Sequence, residues 1–253
     1  DRMTMTEAGP NASSFTIVLP TYNEVQNIRG MVEELLRRYP GINILVVDDN
    51  SRDGTVELVH ELKAMHPSVR LMVRDPRDGG LTASLMDGIV NAGTEHFIVM
   101  DADFQHPPAS VGDVMRALSA GHVMAVGTRN NIKALSATRR LASWGANFLA
   151  RSFLLAHRKC RPSDLMSGFF GGDTAAWKKV ILANGNKFER HGFKVLFDLM
   201  KFSPPGTRVA EVRYDFGERS GGESKLDSRV ILSLLRQCGY LGKILAALIS
   251  PLS

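Results

Sequence analysis

Asp101, Asp103 and Gln105 stand at alternate positions directly behind an apolar run, Phe97 to Met100. A short unbroken run of that kind reads as a buried strand. Pro107-Pro108 then closes the segment, since proline has no N–H to give to a strand ladder. Open α/β sheets bind ligands beyond the carboxyl ends of their parallel strands. Two carboxylates and an amide gathered there offer only oxygen, which suits a hard cation such as Mg2+ or Mn2+ that shares its shell with phosphate. Alone, an Asp-x-Asp pair is a weak signal and reads equally as a solvated turn. The strand before it, and the other polar strand ends expected at the same edge, favour a metal–diphosphate site on Asp101, Asp103 and Gln105.

Two further strand ends carry polar groups. Residues 42–47, apolar but for Asn43, run into Asp48-Asp49, and residues 15–20 run into Thr21-Tyr22-Asn23-Glu24. A carboxylate at such a place can accept hydrogen bonds from ribose hydroxyls or a base N–H. The rival reading is that Asp49 merely caps the turn, which is credible for one of the two aspartates. Asn23 is expected to cap the following helix, with Gln26 as its capping-box partner, which leaves Tyr22 and Glu24 to flank a base. No G-x-G-x-x-G and no Walker loop follows the first strand, so a nucleotide would be held by strand-end side chains.

These groups need a sheet to position them. Strands are predicted at residues 15–20, 42–47, 69–73, 97–100 and 123–126. The helices between them carry Ile28, Met31, Val32 and Leu35, then Val56, Val59 and Leu62 behind an Asp53 cap. Gly79-Gly80 opens a third helix through Leu81, Leu85 and Ile89, and Val111, Val114, Met115 and Leu118 mark a fourth. Alternation of this kind implies βαβ units in an α/β fold with a mostly parallel sheet. The second half is less regular. Leu141, Trp144, Phe148 and Phe153 mark a long helix, residues 157–162 a basic loop, residues 177–182 and 193–202 helices, and residues 208–216 an edge strand. Residues 220–224 are expected to form a mobile loop, and a last helix starts near Asp227. The organisation expected is a leader (1–14), one domain (15–226) and an amphipathic C-terminal helix (227–253).

The 253 residues are 44% hydrophobic and 23% charged, with a formal charge of +5, as in an ordinary globular chain with a full core. That charge admits a phosphate-rich ligand, an anionic membrane or nucleic acid. No helix-turn-helix, zinc finger or basic sheet interleaved with aromatics is present, so no nucleic-acid partner is expected. Cys160 and Cys238 lack any paired spacing, which argues against a disulfide framework or a zinc site. Residues 1–14 lack the apolar core of a signal peptide, and no window holds the roughly 20 apolar residues of a membrane span. In residues 227–253, Val230, Ile231, Leu234, Leu235, Cys238, Leu241, Leu245 and Leu248 form an apolar stripe. Arg229, Arg236 and Lys243 recur beside it every seven residues, with no acidic residue after Asp227. Such a helix can lie in the interface of an anionic bilayer, or dock on the domain or a partner.

Taken together, FTIVLPTYNE, VVDDNS, residues 80–84, VMDADFQHPP and Gly127-Thr128-Arg129 resemble the inverting glycosyltransferases of GT-A fold. RRLASWGANFL, SDLMSGFF, GFKVLFDL and the R-S-G-G-E-S-K-L stretch from Arg219 narrow this to the polyprenyl-phosphate (dolichyl-phosphate) mannose synthases. The likeness covers residues 15 to 240 in order. It implies metal-dependent transfer of mannose from GDP-mannose to a polyprenyl (dolichyl) phosphate on the cytoplasmic face of a membrane, with Mg2+ or Mn2+ as cofactor. That membrane would be the endoplasmic reticulum in a eukaryote or the plasma membrane in a prokaryote, with room for a membrane-subunit partner.

By position, Pro20, Tyr22, Glu24, Val47 and Asp49 would line the guanosine site, with Asp101 near the ribose or metal. Asp103 and Gln105 would hold the metal with the diphosphate. Arg129, Arg139, Ser143, Arg219 and Lys225 would gather the acceptor phosphate and the donor diphosphate. Arg52 replaces a proline common in such chains, and Gly221-Gly222 precede Glu223 in the loop. Arginine's planar fork suits phosphate oxygens. Cations at Arg139-Arg140 oppose a helix dipole unless an anion sits with them. Glucose transfer from UDP-glucose and non-catalytic binding of a nucleotide sugar are the rival readings.

Overall fold

The computed structural model describes residues 9–130, 137–190 and 195–217, with backbone alone for residues 137–144 and Ala146. In chain order the elements are β1 (Phe15–Thr21), α1 (Ile28–Arg38), β2 (Asn43–Asp48), α2 (Thr55–Met65) and β3 (Val69–Val73). There follow α3 (Leu81–Val90), β4 (His96–Val99), α4 (Val111–Ser119), β5 (Met124–Arg129) and α5 (Ala137–Ala156). β6 (Phe170–Asp173), α6 (Thr174–Asn184), α7 (Val195–Phe202) and β7 (Val209–Tyr214) complete the described chain. Among the described residues the strands form one seven-stranded sheet in the order β3-β2-β1-β4-β6-β5-β7.

Every strand except β6 runs the same way, because β6 is antiparallel to both of its neighbours, β4 and β5. The order reverses between β1 and β4, which pair in parallel. Such a switch point opens a crevice beyond the strand ends. The apolar runs form strands because the sheet is covered on both faces, as mostly parallel sheets must be. One face carries α1, α2 and α4 through Met31, Val32, Leu35, Val59, Leu62, Val114 and Leu118. The other carries α3, α5, α6 and α7 through Met86, Ile89, Leu154, Trp177, Ile181 and Phe197.

β6 is the one element that the hydrophobic pattern does not announce. Its sequence is Phe-Gly-Gly-Asp, and glycine ordinarily weakens a strand. Here the glycines are required by crowding. A Cβ on Gly171 would sit 2.7 Å from the Phe97 carbonyl oxygen, and one on Gly172 would sit 2.5 Å from the Trp177 ring. Gly171→Ala is therefore expected to lower stability by about 1–3 kcal/mol, as overpacking of a tight core does. The urea midpoint of the purified variant measures this.

Two turns differ from expectation. Asn23 is not a helix cap: α1 begins at Ile28 behind Asn27, and Asn23 takes a left-handed φ of 57°. Its Oδ1 accepts from the Arg52 N–H at 3.1 Å, while its own N–H donates to Ser51 Oγ at 2.8 Å. Asparagine tolerates that backbone region better than most residues, and the position serves to lash the turn after β1 to the turn after β2. Asp53 lies one residue outside the cap, which is Gly54 at φ 98°. Its carboxylate accepts from the Thr55 N–H at 3.0 Å and from the Val25 N–H at 3.1 Å, so it too joins the two turns.

Candidate active site

The carboxyl ends of β1, β2, β4, β5 and β7 and the amino end of β6 meet along one edge of the sheet, as the strand directions require. On the β1–β2 side the two aspartates divide the work. Asp48 is fully buried; it accepts from Thr21 Oγ1, the Ser51 N–H and Ser51 Oγ, each at 2.7 Å. It builds the turn. Asp49 keeps 19% of its side chain exposed and accepts from Arg74 Nη1 at 2.9 Å and the Gly80 N–H at 2.8 Å. Register pairs Thr21 with Asp48, and the next residues on each strand end are Tyr22, 52% exposed, and Asp49. A half-exposed ring next to an oriented carboxylate can stack on a base and accept its N–H groups.

Glu24 donates its N–H to Thr55 Oγ1 and accepts from Asn27 Nδ2, both at 2.9 Å. Pro20 lies buried within β1. The Val47 side chain is fully buried against the Gly88 face of α3, so what Val47 offers the edge is backbone.

The loop after β4 is held from several sides. The Asp101 N–H donates to His106 Nδ1 at 3.0 Å, and the Gln105 N–H donates to Asp103 Oδ1 at 3.1 Å. Phe104 takes a φ of 64°, a region costly for an aromatic residue. In return its ring packs where Gly30 leaves α1 bare. His106 is buried and stacks on Phe169, with Tyr214 and Phe216 edge-on. The Gly217 N–H donates to the Gln105 carbonyl at 2.9 Å, so the chain beyond β7 braces the loop. A Cβ on Gly168 would come within 3.3 Å of Asp101 Oδ2, which brings the segment before β6 to the same place.

The donor set of this loop fits Mg2+ or Mn2+. Asp101, with 41% of its side chain exposed, and the buried Asp103 supply carboxylates, and Gln105 an amide oxygen. Among the described residues no group of three His, Cys, Asp or Glu gathers as an all-protein metal cage. A few hard oxygens with the shell completed by phosphate and water is the arrangement Mg2+ prefers.

On the β5–β7 side, Arg129 makes a two-pronged pair with Asp164: Nε to Oδ2 at 2.8 Å and Nη2 to Oδ1 at 3.1 Å. The side chains are only 11% and 7% exposed. Asp164 also accepts from the Met166 N–H at 3.1 Å and Asn147 Nδ2 at 3.4 Å. The Arg129 guanidinium stands over the Phe216 ring, 5.6 Å from its centroid. Burial works against its charge, but the Asp164 carboxylate outweighs that and raises its pKa further. Tyr214, also buried here, is pushed by desolvation well above the usual phenol range and stays neutral. The pair is neutral as a unit.

Asp164 and Arg74 were the partners that sequence reasoning did not single out. The signal for Arg74 was an arginine ending an apolar strand ahead of Asp75-Pro76-Arg77-Asp78. Arg139 and Ser143 fall in the first turns of α5, where their side chains lie outside the described ones. Arg219, Lys225 and the C-terminal stripe with Arg229, Arg236 and Lys243 lie outside the described residues.

Residues 16–180, from β1 to α6, match the family described as glycosyl transferase family 2. The chain belongs to glycosyl transferase family 2. This member is 35% identical over 238 residues to a dolichol-phosphate mannosyltransferase of Mycosarcoma maydis, covering 88% of this chain and 77% of that one. It is 34% identical over 242 residues to the protein of that name from Saccharomyces cerevisiae, covering 88% and 85%. Among solved structures it resembles a mannosyltransferase of Pyrobaculum calidifontis in complex with GDP-Man and Mn2+, at TM-score 0.54 and 17% identity over 85% of this chain and 59% of that one. The glycosyl transferase family 2 chain thus has the GT-A-like sheet that its strand-end motifs implied.

Proposed function

We propose that this chain transfers mannose from GDP-mannose to a polyprenyl (dolichyl) phosphate, giving polyprenyl-phosphate mannose and GDP with inversion at the anomeric carbon. One observation carries the proposal. A nucleoside-type pair (Tyr22, Asp49), an oxygen-donor loop (Asp101, Asp103, Gln105) and an arginine (Arg129) share one edge, beside the switch point of the sheet. The choice of mannose and of a dolichol-type acceptor follows the names of the relatives.

In this reading Asp49 and Tyr22 hold the guanine, with Glu24, Pro20 and the Val47 backbone around the nucleoside. Asp103 and Gln105 would hold the divalent cation, Asp101 lying next to them. When bound, that cation supplies Lewis-acid neutralisation of the charge that develops on the departing diphosphate. An acceptor phosphate oxygen is already anionic at neutral pH, so it attacks the anomeric carbon without a general base, unlike a sugar hydroxyl. The new bond joins that oxygen to the sugar as the bond to GDP breaks on the opposite side. Arg129, Arg139, Ser143, Arg219 and Lys225 would orient the acceptor phosphate and offset its repulsion from the donor.

The acceptor is a membrane lipid, and among the described residues no helix is long and apolar enough to cross a membrane. The protein is proposed to work at the cytoplasmic surface of that membrane, with the apolar and basic residues of 227–253, which lie outside the described residues, as its contact with anionic lipid. Incubation with GDP-mannose or UDP-glucose, Mg2+ and a short polyprenyl phosphate tests the function. Formation of lipid-linked mannose from the GDP donor is the expected result. Product from UDP-glucose alone, or from neither donor, overturns it.

A further inference from the structure

Arg74 closes β3 and is the most heavily partnered cation among the described residues. Its side chain is 3% exposed and meets three carboxylates from three different elements. These are Asp49 after β2 at 2.9 Å, Asp78 in the turn after β3 at 3.1 Å, and Asp87 on α3 at 2.8 Å. Ser84 Oγ lies 3.3 Å from Nη1. Asp78 in turn takes Arg190 Nη2 at 2.5 Å, which ties the turn to the chain ahead of α7. A guanidinium held on that many sides has one orientation, since its fork is planar and rigid.

The consequence falls on Asp49. One of its oxygens is engaged by Arg74 and the other by the Gly80 N–H, so both carboxylate oxygens are locked in direction. Each keeps a second lone pair, and Asp49 is the least exposed of the three carboxylates on Arg74 yet still 19% open. Tyr22 directly follows Thr21, the last residue paired with β2, as Asp49 directly follows that partner, Asp48. Guanine presents two adjacent donors, N1–H and N2–H, that match two fixed oxygens. Uracil presents one N–H between two carbonyls, and a fixed second oxygen would face a carbonyl. Rejection of that kind arises from unmatched polar groups as much as from good contacts.

We propose that Arg74 is a positioning residue that sets nucleobase choice: by fixing the Asp49 carboxylate it makes the site prefer guanine to uracil. This rests on the GDP-mannose reading above and adds the group responsible for it. The test is titration of the full chain, with Mg2+, by GDP and by UDP, alongside KM and kcat for GDP-mannose.

The wild type is expected to prefer GDP. Arg74→Gln is expected to weaken GDP binding about 10- to 100-fold, the size of a lost hydrogen bond to a charged group, with UDP changed far less. KM should rise while kcat stays within about threefold, since the loss is in ground-state binding. Asp49→Asn should show the same shift, and the double variant no more than either single, because the two residues act as a unit. Circular dichroism checks folding. Should the glutamine variant not fold, Arg74→Lys keeps a cation among the carboxylates without the fork, and the same narrowing of the GDP:UDP ratio is expected. A folded Arg74 variant with the wild-type ratio overturns this proposal and leaves the donor reading intact. A wild type without guanine preference overturns both.

Discussion

Asp103→Asn abolishes most turnover while the protein still folds. The asparagine Oδ1 can accept from the Gln105 N–H as the carboxylate does at 3.1 Å, and volume is conserved at a position only 2% exposed. What disappears is the negative charge that would hold the cation beside the diphosphate. Preorganised stabilisation of developing charge is worth about 10²–10³-fold per group and more when a metal is lost with it, so kcat should fall by about 10³-fold or more. Radiolabelled transfer from GDP-mannose measures it, with a thermal melt on the same sample. Turnover near the wild-type level at saturating Mg2+, with the melt unchanged, removes Asp103 from the chemistry.

The largest stability effect belongs to Asp164. Asp164→Ala leaves the Arg129 guanidinium at 11% exposure with its two-pronged partner gone. Breaking one side of a buried ion pair typically costs about 3–5 kcal/mol, because the surviving charge stays desolvated. Guanidinium denaturation should show a midpoint shift of that size. The double variant Arg129→Met with Asp164→Leu should recover much of it, since apolar replacements of similar volume remove both charges together. If the single and double variants are equally stable, the pair is not what holds that corner of the edge. Activity should separate from stability here. On the role proposed for Arg129, the double variant is expected to regain folding but not transfer.

Strand–helix alternation through β5 was legible because β1, β2 and β4 each carry an unbroken buried run: Ile17 to Leu19, Ile44 to Val47 and Phe97 to Val99 are at most 2% exposed. β6 was hidden for the opposite reason. Its identity comes from close approach, not from side-chain pattern, and crowding by Phe97 and Trp177 cannot be read before the neighbours are known. The aspartate pair shows the same limit at the site. Asp48 and Asp49 are chemically identical in sequence, and only the hydroxyls of Thr21 and Ser51 mark the first as structural. Asn23 resembles a cap locally, yet its partner Arg52 lies 29 positions away on the next turn. The Asp101–Gln105 loop could be read because a strand end, carboxylates and a proline stop are all local signals. Arg129 could be named but not its state, since Asp164 comes 35 residues later.

The position of β6 also bears on how the polypeptide is assembled. Among the described residues β5 pairs only with β6 and β7, and β4 reaches β5 only through β6. A nascent chain emerging as far as Arg129 can zip β3, β2, β1 and β4 into a parallel nucleus, but β5 then has no ladder to join. Pairings between distant segments are slow because the loop must close before any contact rewards it. Synthesis must therefore reach Asp173 before the cationic flank can dock on the half already built. The β1–β2 side of the edge can form first, and the β5–β7 side waits for a four-residue wedge.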